Sequence, residues 1–141
     1  MYYLKTKQSF DSAHFLHGYH GKCANIHGHR WKIVATIKSR DLLKESQNEG
    51  MITDFKDLKK DLKAITDNFD HALIIEENSL SKKLYQALID ENFKIINLPF
   101  RPTAENLAKY IYELLTKTYD VDCIDVYETP NNCASYRGKN G

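Results

Sequence analysis

His29-Arg30-Trp31-Lys32-Ile33-Val34-Ala35-Thr36-Ile37-Lys38-Ser39 has a period of two. Trp31, Ile33, Ala35 and Ile37 fall on one side, and Lys32, Val34, Thr36 and Lys38 on the other. That alternation is the signature of a strand with one buried face. Upstream, residues 2–14 alternate loosely among Tyr, Thr and Phe and read as a first strand ending at His14. Residues 15–26, rich in Gly, His and Asn, read as the loop between them. If the two strands pair as a hairpin, residues near 14 come opposite residues near 28.

Further along, the polar stretch Ser46-Gln-Asn-Glu-Gly50 breaks the chain. Phe55, Leu58, Leu62, Ile65 and Phe69 then recur at helical steps, with Asp54 or Thr53 available as the cap. Residues 79–91 read as a second helix with Leu80, Leu84, Leu88 and Ile89 on its apolar side. Phe93 to Leu98 reads as a short strand before Pro99. Thr103 can cap a third helix, with Glu105 in its first turn and Leu107, Ile111, Leu114 and Leu115 facing inward. Residues 121–128 read as a strand, Pro130-Asn-Asn as a turn, and residues 133–137 as a strand pairing back. Strands at both ends and helices between them predict an α+β fold on an antiparallel sheet.

The chain has 141 residues, which suits one domain, and it shows no repeat or linker. A net charge of +1 argues against a dedicated nucleic-acid or membrane-surface binder. No apolar run approaches the roughly 20 residues of a bilayer span, and the N-terminus lacks the apolar core of a signal peptide. The three cysteines, Cys23, Cys123 and Cys133, are too few and odd in number for a disulfide framework. A soluble cytoplasmic protein is expected, with Cys123 and Cys133 as small core residues.

Five of the six histidines lie between residues 14 and 29, around Cys23. His27 and His29 are two apart, so in extended chain both imidazoles point the same way. His14, at the end of the first strand, can reach that side if the two strands pair as a hairpin. Three neutral imidazoles with one open position are the donor set of a catalytic zinc site. Cys23 is either a fourth ligand, which would close the site and make it structural, or a thiolate base kept off the metal. His17 and His20 fit the loop and receive no role. His71 follows Asp70, a carboxylate placed to orient an acid–base imidazole.

Together these segments resemble the 6-pyruvoyltetrahydropterin synthase superfamily. Cys23-Ala-Asn-Ile-His27-Gly-His29, preceded by His14, is similar to its Cys-x-x-x-His-Gly-His signature. The three-residue spacer resembles the 6-carboxytetrahydropterin synthase branch, which serves queuosine and other 7-deazaguanine synthesis. Gly50-Met-Ile-Thr-Asp-Phe55, Asp70-His71-Ala-Leu, Pro102-Thr-Ala-Glu-Asn-Leu107 and Val126-Tyr-Glu128-Thr129 match further segments in order. Residues 77–98 depart from the compact members as an inserted helix and short strand.

The resemblance implies a tunnelling fold: a four-stranded antiparallel sheet backed by helices, assembled into a ring, commonly a hexamer. It implies zinc on His14, His27 and His29, and Cys23 as the proton-abstracting base. Asp70 and His71 would be relay partners contributed by a neighbouring subunit. Glu128 would anchor the substrate's amino-pyrimidine edge, with Thr103 and Glu105 as further substrate contacts. Lys22 and Arg101 are candidate triphosphate contacts. The implied reaction takes 7,8-dihydroneopterin triphosphate to 6-carboxy-5,6,7,8-tetrahydropterin, acetaldehyde and triphosphate, without an external redox cofactor. The rival readings are a pyruvoyl-forming synthase, a non-catalytic zinc- or pterin-binding module, and a structural zinc protein.

Overall fold

A computed structural model describes residues 1–139. β1 (Tyr2–His14) and β2 (His27–Ser39) form a long antiparallel hairpin, with His14 opposite His27 and Ser12 opposite His29. The second strand thus begins two residues before the alternating run. β5 (Val121–Thr129) and β6 (Asn132–Tyr136) extend the sheet beyond β2, both antiparallel.

On the other side of β1 the sheet departs from expectation. β3 (Ala72–Glu76) pairs parallel to β1, and β4 (Ile95–Leu98) pairs parallel to β3. The sheet is therefore six-stranded and mixed, in the order β4-β3-β1-β2-β5-β6, rather than four-stranded and antiparallel. Four antiparallel strands form its larger part. Ala72-Leu-Ile-Ile-Glu76 has too short an apolar run to declare a strand by periodicity alone, and its pairing with Ser12 to His14 makes it one.

α1 (Phe55–Phe69) and α3 (Ala104–Leu115) cover one face of the sheet. Leu58, Leu62 and Phe69 of α1 and Leu107, Ala108, Ile111 and Leu115 of α3 are buried against Phe10, Trp31, Ile33, Ala35, Ile124 and Val126. Each large apolar side chain fully buried here contributes about 1.5–3 kcal/mol relative to exposure. Both N-caps read from the sequence are formed: Asp54 accepts from Lys56 N–H at 2.8 Å, and Thr103 accepts from Asn106 N–H at 3.2 Å. Phe55, the first residue of the α1 stripe, stays exposed.

α2 (Lys82–Asp90), capped by Ser81, lies in the connection from β3 to β4. It is shorter than the expected 79–91, and it buries none of its own residues. Ile75 alternates away from Ile74 and the main core, and lies in a cleft shared with Leu80 and Tyr85 of this crossover. Cys123 is buried as expected, whereas Cys133 is exposed, because its strand lies at the sheet edge with that side chain turned outward. Among the described residues no helix is long and apolar enough to cross a membrane.

Candidate active site

The histidine cluster forms where the buried face of the β1–β2 hairpin runs out beyond the hydrophobic core. Phe10, Ser12 and His14 share that face of β1, and Trp31, His29 and His27 share it on β2, so the core's aromatic layer continues directly into imidazoles. The His14 ring meets the Trp31 ring edge-on at 4.9 Å between centroids, and His29 does the same at 5.4 Å. Trp31 in turn donates from its indole nitrogen to the Ser12 carbonyl at 3.3 Å, tying the two strands beneath the cluster. The ligand-type atoms of His14, His27 and His29 all lie within 4.8 Å of one another.

Hydrogen bonding sets the tautomers. His14 Nδ1 lies 2.8 Å from the Pro102 carbonyl oxygen, and His27 Nδ1 lies 2.6 Å from that of Asn25. A carbonyl only accepts, so each Nδ1 carries the proton and each Nε2 carries a lone pair. Those two Nε2 atoms face each other at 3.0 Å. Two lone pairs at that distance repel unless a cation lies between or beside them.

His29 Nε2 is buried without a hydrogen-bond partner, although Glu128 Oε1 stands 3.2 Å away off the ring N–H direction. Burial pushes the His14 imidazole below its usual range, against the Pro102 carbonyl and Glu128, with His27 and His29 adding to the depression. Burial also lowers His29, opposed by Glu128 and reinforced by His27. Both are therefore neutral near pH 7, the state a metal requires of imidazole. The donor set and the orphaned nitrogen fit a divalent cation.

Cys23 sits in a short 3-10 turn, Lys22–Ala24, within the loop between β1 and β2. The Leu16 N–H donates to its carbonyl oxygen at 2.9 Å, closing the loop. Its thiol is half-buried and does not join the three imidazoles as a converging ligand atom. The closed four-ligand arrangement is therefore not formed in this structure.

Asp70 and His71 form a pair at the end of α1. Asp70 Oδ2 is 2.9 Å from His71 Nδ1, while Oδ1 accepts the Asp11 N–H at 3.0 Å. The Asp70 carboxyl is held below the usual carboxylate range, chiefly by that backbone N–H and then by His71. The imidazole is 78% exposed. No hydrogen bond or ion pair joins this pair to Cys23 among the described residues.

Glu128 ends the buried face of β5 and borders two clefts. One, of about 440 Å³, also includes His29, Lys32 and Tyr127. The other, of about 250 Å³, brings Glu128 together with Thr103, Glu105 and Leu16. The structure thus gathers the three residues named as substrate contacts, which lie on different elements. Arg101, by contrast, donates to the His17 carbonyl at 2.7 Å and clamps the loop.

The carbonyls of Asn25 and Pro102 are the supports that sequence reading missed. Both residues lie inside segments quoted above, but a backbone acceptor leaves no side-chain signature.

The α+β layers and the partly buried imidazole triad are those of the 6-pyruvoyl tetrahydropterin synthase family, and the chain belongs to it: the family model matches residues 3–139. Within that family it is similar to the 6-carboxy-5,6,7,8-tetrahydropterin synthase of Haemophilus influenzae, 36% identical over 141 residues, covering 97% of this chain and 99% of that protein. The enzyme of the same name from Rickettsia bellii is 34% identical over 132 residues, covering 86% and 90%. Among solved structures, an uncharacterized protein from Wolinella succinogenes superposes with a TM-score of 0.84 at 21% identity, covering 98% of each chain. The 6-pyruvoyl tetrahydropterin synthase of Caenorhabditis elegans superposes at 0.70 and 23%, covering 98% and 96%. These two likenesses bear on the fold.

Proposed function

We propose that this chain is a cytoplasmic, zinc-dependent lyase of queuosine and 7-deazaguanine synthesis. Its reaction converts 7,8-dihydroneopterin triphosphate and water to 6-carboxy-5,6,7,8-tetrahydropterin, acetaldehyde and triphosphate. The 36% identity to a 6-carboxy-5,6,7,8-tetrahydropterin synthase over nearly the whole of both chains supports the reaction. The observation that carries the site is the cluster of His14, His27 and His29, with two Nε2 lone pairs facing at 3.0 Å. In this reading residues 1–141 act as one domain.

Zinc (Zn²⁺) held by the three imidazoles would supply Lewis acidity to the oxygens of the substrate side chain. The chain's own residues do the rest. Cys23, as thiolate, removes the carbon-bound proton next to those oxygens. His71 takes up and returns protons, and the Asp70 carboxylate keeps its Nδ1 protonated and its ring oriented. Glu128 accepts two parallel N–H bonds from the amino-pyrimidine edge, and Thr103 and Glu105 line the same cleft. The exposed His71 ring, unconnected to its own Cys23, suits an assembled ring. In a hexamer, the Asp70–His71 pair of a neighbouring subunit would complete each site.

The deciding experiment incubates zinc-loaded protein with 7,8-dihydroneopterin triphosphate and identifies products by mass spectrometry, with acetaldehyde assayed in parallel. Carboxytetrahydropterin with stoichiometric acetaldehyde is expected. A pyruvoyl product would keep the site and overturn the reaction. No turnover by the intact, zinc-loaded assembly would leave a binding module.

Glu128→Gln keeps the shape but loses the charge that strengthens both anchoring bonds. KM should rise about 10- to 100-fold, the loss of one or two charge-assisted hydrogen bonds. Zinc content, measured alongside because Glu128 stands 3.2 Å from His29, should not change. An unaltered KM would remove Glu128 from the anchoring role.

A further inference from the structure

The turn that presents His71 is held from outside the helix it follows. The last turn of α1 has no basic residue of its own, so its carbonyl ends lack the cation a helix C-terminus favours. Lys94, between α2 and β4 in the inserted segment, provides one. Its Nζ donates to the carbonyl oxygens of Asp67 at 3.0 Å and Asp70 at 2.9 Å. The lysine is itself pinned, because Leu73 N–H donates to the Lys94 carbonyl at 3.0 Å where β3 and β4 begin to pair.

This matters for His71 because its backbone is unusual. Its φ is +56°, in the left-handed region that residues other than glycine seldom occupy. Such a conformation persists only when its surroundings over-determine it. From the β1 side, the His71 N–H donates to the Asp11 carbonyl at 2.7 Å, and Asp70 Oδ1 accepts the Asp11 N–H. From the opposite side, the hold on the Asp70 peptide comes from Lys94.

We propose that Lys94 is a positioning residue for the Asp70–His71 proton relay, acting through its two hydrogen bonds to the α1 terminus. The proposal rests on the reading of that pair as the relay. It also gives the inserted segment a part in the chemistry, since residues 77–98 supply the ammonium that fixes the turn. The charged groups acting on the Asp70 carboxylate are His71 beside it and Lys94, while Asp11 meets it through its backbone N–H and pairs its own carboxylate with Arg30 at 3.0 Å. Asp67 on the same turn is already paired with Lys63.

The test compares Lys94→Met, which keeps the stem and removes the donors, with Lys94→Arg, which keeps charge and donors. Steady-state kinetics on the zinc-loaded assembly are combined with nitrogen NMR of histidine-labelled protein, which reads the His71 tautomer. Lys94→Met should lower kcat about tenfold, as expected when a catalytic group is slightly misplaced, with KM and zinc content unchanged. Its His71 should become a tautomer mixture in place of the single Nδ1–H form. Lys94→Arg should restore both. A normal kcat with a normal His71 spectrum in Lys94→Met overturns the proposal, as does a kcat loss with His71 undisturbed. Should the unmodified protein fail to turn over the substrate, the functional reading falls, and the His71 spectra alone decide the role of Lys94.

Discussion

The His27→Ala protein is expected to carry no stoichiometric zinc and to turn over substrate at least about 100-fold more slowly, since losing even an outer-shell partner of a metal costs about 10–100-fold. His27 is the informative choice among the three. His14 is 1% exposed and packs against Trp31 and His29. Truncating it would open a cavity and orphan the Pro102 carbonyl, mixing metal loss with destabilisation. His27 is half-buried, and its Nδ1 bonds a loop carbonyl. Removing its ring also relieves the opposed lone pairs at 3.0 Å, so the apo protein should lose little stability. Metal analysis by mass spectrometry and a thermal melt with and without zinc check this. The parent should gain stability with zinc and the variant should not. Full zinc occupancy in a folded His27→Ala protein would remove the triad as the metal site.

Cys23→Ala is expected to separate metal binding from chemistry. The thiol stands outside the group of converging ligand atoms, so zinc content should match the parent. Turnover should fall by about 10²–10⁴-fold, the range a positioned general base contributes. Binding of substrate, followed by fluorescence of the dihydropterin, should persist. The loop itself should hold, because the bond that closes it uses the Cys23 carbonyl and not its sulfur. Loss of zinc together with activity would instead make Cys23 a ligand and the site a closed one.

Both outcomes depend on an arrangement that the local sequence announces unusually well. His27-Gly28-His29 in extended chain must send two imidazoles to one side, whatever surrounds it. The period of two continuing through Trp31 to Ile37 says which side is buried. The α1 and α3 stripes and their caps at Asp54 and Thr103 are equally local features, and they form where expected. The identity of the family follows from the order of short motifs along the chain. Periodicity, capping and residue type are properties of neighbours in sequence, and these are what the sequence by itself determined.

Long-range pairing was decided only in three dimensions. Ala72–Glu76 becomes a strand because β1 offers it a parallel edge, and β4 follows because β3 then offers one in turn. Nothing in five residues specifies that, and so an antiparallel four-stranded sheet became a mixed six-stranded one. The same holds for the supports of the site. The Pro102 carbonyl meets His14 across 88 positions, and Lys94 meets Asp70 across 24. Backbone carbonyls carry no residue-type signal, and an exposed lysine reads as a solvated charge until its partners are in place. The imidazoles were legible because their chemistry resides in side chains. The tautomer and orientation of His14 came from a distant backbone carbonyl, and the hold on His71 from the Asp11 backbone and the Lys94 ammonium, partners that only packing could bring near.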